Sequence, residues 1–331
     1  MNRWLSFPLV LLPLIACQQP QQLEDPVADA GPGEGSGTGA GTGSGSGRIL
    51  LFGGQDATGF LSDTWTFDGT SWTQEQVAGP SARAYAAGGS VGGKVVMFGG
   101  EDDTVGDLAE TWSWNGSGWI QLSAMGPSAT HTAVASTLGG NLVLFGPSDA
   151  DDFPQTWSWN GSAWSQKDPN QTGPDVTDGW AATTLGSDVV VFGNGGTWDW
   201  NGSHWTGNPT GSGGPSEEGG GALATLGQTL VLFGGDDSES FSSLGETWTS
   251  DGTNWTLHGA GGPSPRSYAG MSTLNGKIVL FGGCTYGFAA DTDAGPTCTN
   301  DTWIWDGTAW TELAVAGPNP SPRAPALMVA E

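Results

Sequence analysis

A pair of aromatic residues seven positions apart recurs six times in this chain, and no other feature constrains its fold as much. The first members of the pairs are Trp65, Trp112, Trp157, Trp198, Trp248 and Trp303, and the second are Trp72, Trp119, Trp164, Trp205, Trp255 and Trp310. Asp-Gly or Asn-Gly lies midway in every pair, and this dipeptide tolerates the positive φ angles of a tight hairpin turn. Each unit is therefore predicted to be a β-hairpin.

The turn determines which tryptophans face each other. If the dipeptide forms a two-residue turn, Trp112 lies directly opposite Trp119, and every copy carries the same cross-strand aromatic pair. A three-residue bulged turn would shift this register by one residue.

A second element precedes each hairpin and consists of apolar residues followed by glycine, as in Ile49-Leu50-Leu51-Phe52-Gly53-Gly54. Continuous apolar runs of this kind are typical of strands buried on both faces. The other runs are Val95 to Gly100, Leu142 to Gly146, Val189 to Gly193, Leu230 to Gly235 and Ile278 to Gly283. A further short strand precedes each of the last five, so the unit has four strands, and it recurs every 41 to 48 residues, the period of a propeller blade.

These motifs resemble those of kelch-repeat proteins over residues 48–331. The resemblance implies an all-β, six-bladed kelch-type β-propeller with four-stranded antiparallel blades. Two blades depart from the double glycine, with Gly146-Pro147 and Gly193-Asn194, and the first aromatic of each pair is tryptophan instead of tyrosine.

The two ends of this region complement each other. The first repeat begins at Arg48 with no preceding strand, whereas the segment from Pro320 to Ala330 aligns with the segment from Pro263 to Thr273, which carries such a strand. The C-terminal strand is therefore predicted to complete blade one and close the ring.

The N-terminal region is predicted to export and anchor the protein. Residues 1–16 have the early positive charge and short apolar run of a signal peptide. Leu14-Ile15-Ala16-Cys17 resembles the lipobox of bacterial lipoproteins, which implies lipidation of Cys17 and sorting to the outer membrane. An ordinary secretory signal with a chance cysteine is the alternative. Residues 17–47 comprise the anchor and a flexible linker rich in Gly and Ser.

The charge balance excludes one class of partner. The formal net charge is −26, from 34 acidic and 8 basic residues, so neither nucleic acid nor an anionic membrane surface is expected to bind. The loops between the apolar runs and the following tryptophans vary most in length and hold 17 of the acidic residues. Asp102, Asp103, Asp236 and Asp237 are candidate Ca²⁺ ligands there, although no segment has EF-hand spacing. Solvated carboxylates that keep the protein soluble are the alternative, and no other cofactor is expected.

Cys284 and Cys298 lie fourteen residues apart in the longest of these loops. In an exported protein they are predicted to form a disulfide. A pair of metal thiolates is the alternative, but the histidines that could complete such a site, at positions 131, 204 and 258, lie in three different blades.

Arg83, Arg266 and Arg323 align at the start of the inner strands of blades two, six and one, which are neighbours in a ring. Glu218 occupies the same position in blade five. The convergent guanidinium groups suit a carboxylate, so these four residues are candidates for binding a carboxylated sugar. Alternatively, the arginines bond loop carbonyls and neighbouring acids as part of the scaffold.

The sequence thus indicates a monomeric, lipid-anchored protein of the bacterial cell envelope that binds a protein or a glycan through its variable acidic loops. No catalytic constellation is found. Because periplasmic kelch propellers that isomerise sialic acid resemble this chain, an enzyme acting on a small acidic sugar is the alternative, and a purely structural surface protein is a third.

Overall fold

Six four-stranded antiparallel sheets are arranged as the blades of a β-propeller. The computed structural model describes residues 47–122, 125–147, 154–168, 173–174, 179–193, 196–209, 214–216, 219–237, 242–259, 261–285 and 297–331. The predicted all-β, six-bladed fold is confirmed. Within these ranges the chain forms no helix that is long and apolar enough to cross a membrane.

Each blade runs from an inner strand beside a central channel to an outer strand at the rim. From blade one to blade six, the inner strands are Leu327–Ala330, Ala87–Val91, Val134–Leu138, Ala181–Leu185, Ala222–Leu226 and Gly270–Leu274. The second strands are Ile49–Phe52, Lys94–Phe98, Asn141–Pro147, Asp188–Gly193, Thr229–Phe233 and Lys277–Phe281. The third strands are Thr64–Phe67, Thr111–Trp114, Pro154–Trp159, Gly196–Trp200, Thr247–Ser250 and Thr302–Trp305. The outer strands are Trp72–Glu75, Trp119–Leu122, Trp164–Gln166, Trp205–Pro209, Trp255–His258 and Trp310–Glu312.

The C-terminal strand closes the ring as predicted. It pairs antiparallel with the second strand of blade one, with Ile49 opposite Ala330 and Phe52 opposite Leu327. Arg48 then forms an ion pair with Glu331 at 3.0 Å. Blade one is therefore assembled from both ends of the propeller sequence.

The predicted hairpin register is wrong by two residues. Trp112 lies opposite Gln121, and it is Trp114 that faces Trp119. The turn is centred one residue later than expected, on Gly116, which has φ +91°, and on Ser117. Moving the centre of a hairpin turn by one residue changes the pairing of the two strands by two residues. The Asn115 side-chain oxygen accepts the N–H groups of Ser117 and Gly118, both at 3.0 Å, so the Asn flanks the turn as an Asx cap.

The second tryptophan of each pair joins its blade to the preceding one. Its ring packs on a phenylalanine in the neighbour's second strand, at every one of the six blade interfaces. The pairs are Phe281–Trp72, Phe52–Trp119, Phe98–Trp164, Phe145–Trp205, Phe192–Trp255 and Phe233–Trp310. At the closing interface Trp72 also donates a hydrogen bond to Thr302 at 3.0 Å. The repeated tryptophans are thus the residues that hold consecutive blades together.

In the part of the chain that the structure describes, small two-stranded hairpins follow the second strands of four blades. They are Gln55–Asp56 with Gly59–Phe60, Glu101–Asp102 with Gly106–Asp107, Asp236–Asp237 with Ser242–Ser243, and Cys284–Thr285 with Thr297–Cys298. A disulfide joins Cys284 to Cys298 across the last of these, which confirms the predicted pairing. These hairpins lie on the face where the inner strands begin, and this face is called the loop face below.

Candidate functional site at the channel mouth

The channel along the propeller axis is a cavity of about 470 Å³ that all six inner strands line. Its wall consists largely of Gly, Ala, Ser and Thr, and threonine hydroxyls cross-link neighbouring inner strands. Thr184 donates to the carbonyl of Thr137 at 2.6 Å, and Thr273 donates to that of Thr225 at 2.6 Å. These bonds satisfy carbonyl groups that would otherwise face the cavity unpaired.

Two tyrosines adopt a strained backbone at the mouth of this channel on the loop face. The residue two positions before the inner strand is Tyr85 in blade two and Tyr268 in blade six, and both have φ +57°. Blades four and five have glycine there, Gly179 with φ +87° and Gly220 with φ +74°. A bulky side chain in the left-handed region costs of order 1–3 kcal/mol, and residues held in this way cluster at functional sites.

The tyrosine rings form part of an aromatic arc around the mouth. The centroid of Tyr85 lies 6.1 Å from that of Tyr268 and 5.9 Å from the imidazole of His131, and both contacts are edge-to-face. The Tyr268 ring lies over Gly220, because a Cβ added to that glycine would come within 3.2 Å of it. Together with Trp180, these rings line the cavity opening.

Polar groups converge beside this arc. His131 Nδ1 lies 2.6 Å from Asp107 Oδ1, and Glu101 pairs with Asp107 across the small hairpin of blade two. One side-chain ligand atom from each of the three lies within 4.8 Å of the other two. The mouth therefore combines apolar ring faces with hydrogen-bonding groups, as ligand pockets generally do.

The three predicted arginines do lie in adjacent blades, but each guanidinium group is buried. Arg266 is 1% exposed and donates to both oxygens of Asp301, at 2.6 and 2.9 Å, as well as to the Gly282 carbonyl at 2.9 Å. Its remaining N–H groups bond to the carbonyl and hydroxyl of Ser264. Arg323 likewise donates to both oxygens of Asp63, whereas Arg83 donates to one oxygen of Glu110 at 2.6 Å. The predicted role of the arginines in ligand binding stays a prediction, and the contacts observed here are those of a scaffold.

The acidic partners of these arginines have lowered pKa values. Burial raises the pKa of Asp301 and of Asp63, but hydrogen bonds from the arginine and from a tryptophan indole outweigh it. The pKa of Glu110 is lowered in the same way by Arg83 and Trp112. Each carboxylate is consequently charged at neutral pH, which is the state that holds the guanidinium group.

The candidate Ca²⁺ ligands are used in part by the protein itself. Asp102 accepts the backbone N–H groups of Thr104 and Val105, both at 2.8 Å, and these bonds lower its pKa despite a small opposing desolvation. Asp236 accepts a hydrogen bond from Ser243 at 3.0 Å. Asp103 lies on the same hairpin as Asp102, and Asp237 lies on the same hairpin as Asp236. The four candidate ligands are therefore divided between two blades. The Ca²⁺ hypothesis stays a prediction.

Two predicted site residues, Glu218 and Cys17, lie outside the described ranges. The prediction also missed Tyr85, Tyr268 and the group formed by Glu101, Asp107 and His131. Aligning the repeats would have given one signal for the tyrosines, because they occupy a position that is glycine in two other blades. The signal for His131 is weaker, since it meets Asp107 only when blade three packs on blade two.

Comparison with known proteins adds no assignment. No protein-family model matches this chain, and no curated protein matches it.

Proposed function

We propose that this protein is a kelch-type propeller that binds a glycan at the channel mouth on its loop face. A β-propeller is consistent with a binding module in general. The observation that carries the proposal is the strained backbone of Tyr85 and Tyr268, where two other blades use glycine. Glycine would relieve the strain, so the tyrosine side chains are expected to serve a purpose other than folding.

The chemistry of the mouth favours a neutral sugar. Tyrosine offers a rigid apolar face and a hydroxyl group at a small entropic cost, which suits the flat C–H face and the hydroxyls of a pyranose ring. Without a bound cation, Glu101 and Asp107 can accept hydrogen bonds from sugar hydroxyls, and their negative charge opposes an anionic ligand. The buried arginines are already paired and do not offset this charge.

The test is a glycan-array screen with full-length protein, followed by calorimetry of the best ligand. Tyr85→Gly and Tyr268→Gly should each weaken binding at least about tenfold, or about 1.4 kcal/mol. Both variants should remain folded, because relief of backbone strain offsets the lost ring contacts. Leu257→Ala is the control, since Leu257 is 50% exposed on an outer strand, and it should bind as wild type does.

Unchanged affinity in both tyrosine variants would refute the channel-mouth site. If the array gave no ligand and a pull-down instead captured one protein through the loop face, the glycan would be replaced by a protein partner.

We also propose that the protein is a lipoprotein of the bacterial envelope, anchored through Cys17. The lipobox-like junction and the Gly/Ser-rich linker support this. Two or three acyl chains give stable membrane attachment where one chain does not. Cys17→Ser should therefore move the protein from the membrane fraction to the soluble fraction, as followed by immunoblotting. Retention of the variant in the membrane fraction would show that another segment anchors it.

The alternative function, an enzyme acting on a small acidic sugar, has one observation in its favour. The imidazole of His131 and the carboxylate of Asp107 form a hydrogen-bonded pair at the mouth, and such pairs can transfer protons. The neighbouring carboxylate of Glu101 opposes the approach of an anion. NMR spectra of sialic acid incubated with the protein would reveal any conversion, and an unchanged anomer exchange rate would exclude this activity.

A further inference from the structure

The small hairpin of blade two carries an unfavourable pair of charges. Glu101 and Asp107 are direct cross-strand partners. The equivalent partners in the other described hairpins are Gln55 with Phe60, Asp236 with Ser243, and Cys284 with Cys298. The blade-five pair is hydrogen-bonded at 3.0 Å, and the blade-six pair is a disulfide. Like charges directly opposite each other are destabilising, so blade two departs from a position that is otherwise neutral or bonded.

Among the described residues, neither lysine nor arginine supplies the positive charge that would compensate this pair. Within the described ranges, neither Glu101 nor Asp107 forms an ion pair with either residue type. The nearby Arg83 is engaged by Glu110 at 2.6 Å. The group that does approach is the imidazole of His131, from the segment leading into blade three.

We propose that Glu101, Asp107 and His131 bind a divalent transition-metal ion of the Zn²⁺ class. An imidazole nitrogen with two carboxylate oxygens is a donor set that suits Zn²⁺, whereas Ca²⁺ and Mg²⁺ prefer oxygen ligands alone. The two carboxylates neutralise the ion, and the ion removes their mutual repulsion. Three protein ligands leave a fourth tetrahedral position for water or an incoming ligand.

The geometry requires only small adjustments. Ligand atoms around a tetrahedral zinc lie roughly 3.4 Å apart, given metal–ligand bonds of about 2.0–2.2 Å. The observed atoms lie within 4.8 Å of one another, and His131 Nδ1 is 2.6 Å from Asp107 Oδ1. Replacing that hydrogen bond by two metal bonds would lengthen the distance from His131 Nδ1 to Asp107 Oδ1 by less than about 1 Å, which side-chain rotation can supply.

The surroundings hold the backbone of Glu101 and the ring of His131 in place. The backbone of Glu101 exchanges both hydrogen bonds with Ala84, at 3.0 and 3.2 Å. The His131 ring contacts the ring of Tyr85, so the metal would lie beside the aromatic arc at the channel mouth. All three ligand side chains are partly buried, which limits competition from water.

The test is calorimetric titration of chelator-treated, full-length protein with ZnCl₂ at pH 7, and separately with CaCl₂. We expect one Zn²⁺ bound per chain more tightly than Ca²⁺. Glu101→Gln, Asp107→Asn and His131→Gln should each weaken this binding at least about tenfold, since even changes to groups behind metal ligands cost 10- to 100-fold. Asp236→Asn, at the equivalent hairpin position in blade five, is the matched control and should retain wild-type affinity.

Zinc binding that is equal in wild type and in all three ligand variants would overturn the proposal, as would tighter binding of Ca²⁺ than of Zn²⁺. Melting curves without metal show whether each variant is folded. An independent measurement uses wild type alone: Co²⁺ bound at four-coordinate geometry should give intense visible absorption that Zn²⁺ abolishes, and no such absorption would also count against the site. Tyr268→Gly removes a ring of the aromatic arc and none of the three metal ligands, so it should still bind zinc, which separates this proposal from the glycan-binding one.

Discussion

Removing residues 321–331 should abolish cooperative folding of the propeller, although it removes no complete repeat. The deletion takes away the inner strand of blade one, leaves the apolar strand Ile49–Phe52 with an unpaired edge, and removes the Arg323–Asp63 ion pair. The expected loss is comparable to the whole stability of a domain, about 5–15 kcal/mol. Thermal unfolding followed by near-ultraviolet circular dichroism should show no cooperative transition.

A synthetic peptide of residues 321–331 provides the control for this deletion. Added in excess, it should restore the transition by pairing with Ile49–Phe52, whereas a scrambled peptide should not. A truncated protein that remained monomeric with an unchanged melting temperature would contradict the closure described here.

Arg266→Ala should destabilise the protein by about 3–5 kcal/mol, the usual cost of breaking a buried ion pair by removing one partner. The substitution removes the guanidinium hydrogen bonds to the half-buried Asp301 and to the Gly282 carbonyl. Urea unfolding at pH 7 measures the loss. The difference from wild type should shrink in acid, because the lowered pKa of Asp301 means that the pair stabilises the fold above the ordinary pKa of Asp and stops doing so once that carboxylate is protonated.

Lys277→Ala is a suitable comparison for the arginine substitution, because Lys277 is an exposed cation in the same blade. This substitution should change the free energy of unfolding by less than about 1 kcal/mol. The double substitution Arg266→Met with Asp301→Leu should recover part of the loss, since it leaves no unpaired charge. Equal stability of Arg266→Ala and Lys277→Ala would mean that the buried guanidinium group is not needed for folding.

Most of the fold could be predicted from the sequence because six copies of the repeat each predict the same four-stranded unit. The hairpin register could not, and Asn115 shows why. Asn before Gly indicates a turn whether it occupies the first central position or flanks it, because its side-chain oxygen can replace a backbone acceptor. Because all six hairpins carry the same dipeptide, the repeat does not resolve which register they adopt.

The candidate site was harder to predict. The sequence placed function on the loop face, but the positive φ of Tyr85 and Tyr268 cannot be assigned from residue type, because tyrosine rarely adopts it. The arginines stood out as rare cations in an acidic chain, and the structure shows them buried against carboxylates. Composition alone identifies the arginines as unusual, but it does not distinguish a residue of the scaffold from a residue of a binding site.

The closed ring also governs when the propeller can fold. Arg48 and Glu331 lie 283 positions apart, and they meet only after every intervening blade has been synthesised. Contacts across such long separations form slowly, because the loop entropy must be lost before the contact is gained. A nascent chain therefore holds blade one incomplete throughout its synthesis. The strand Ile49–Phe52 consequently keeps one unpaired edge until Leu327–Ala330 has been synthesised.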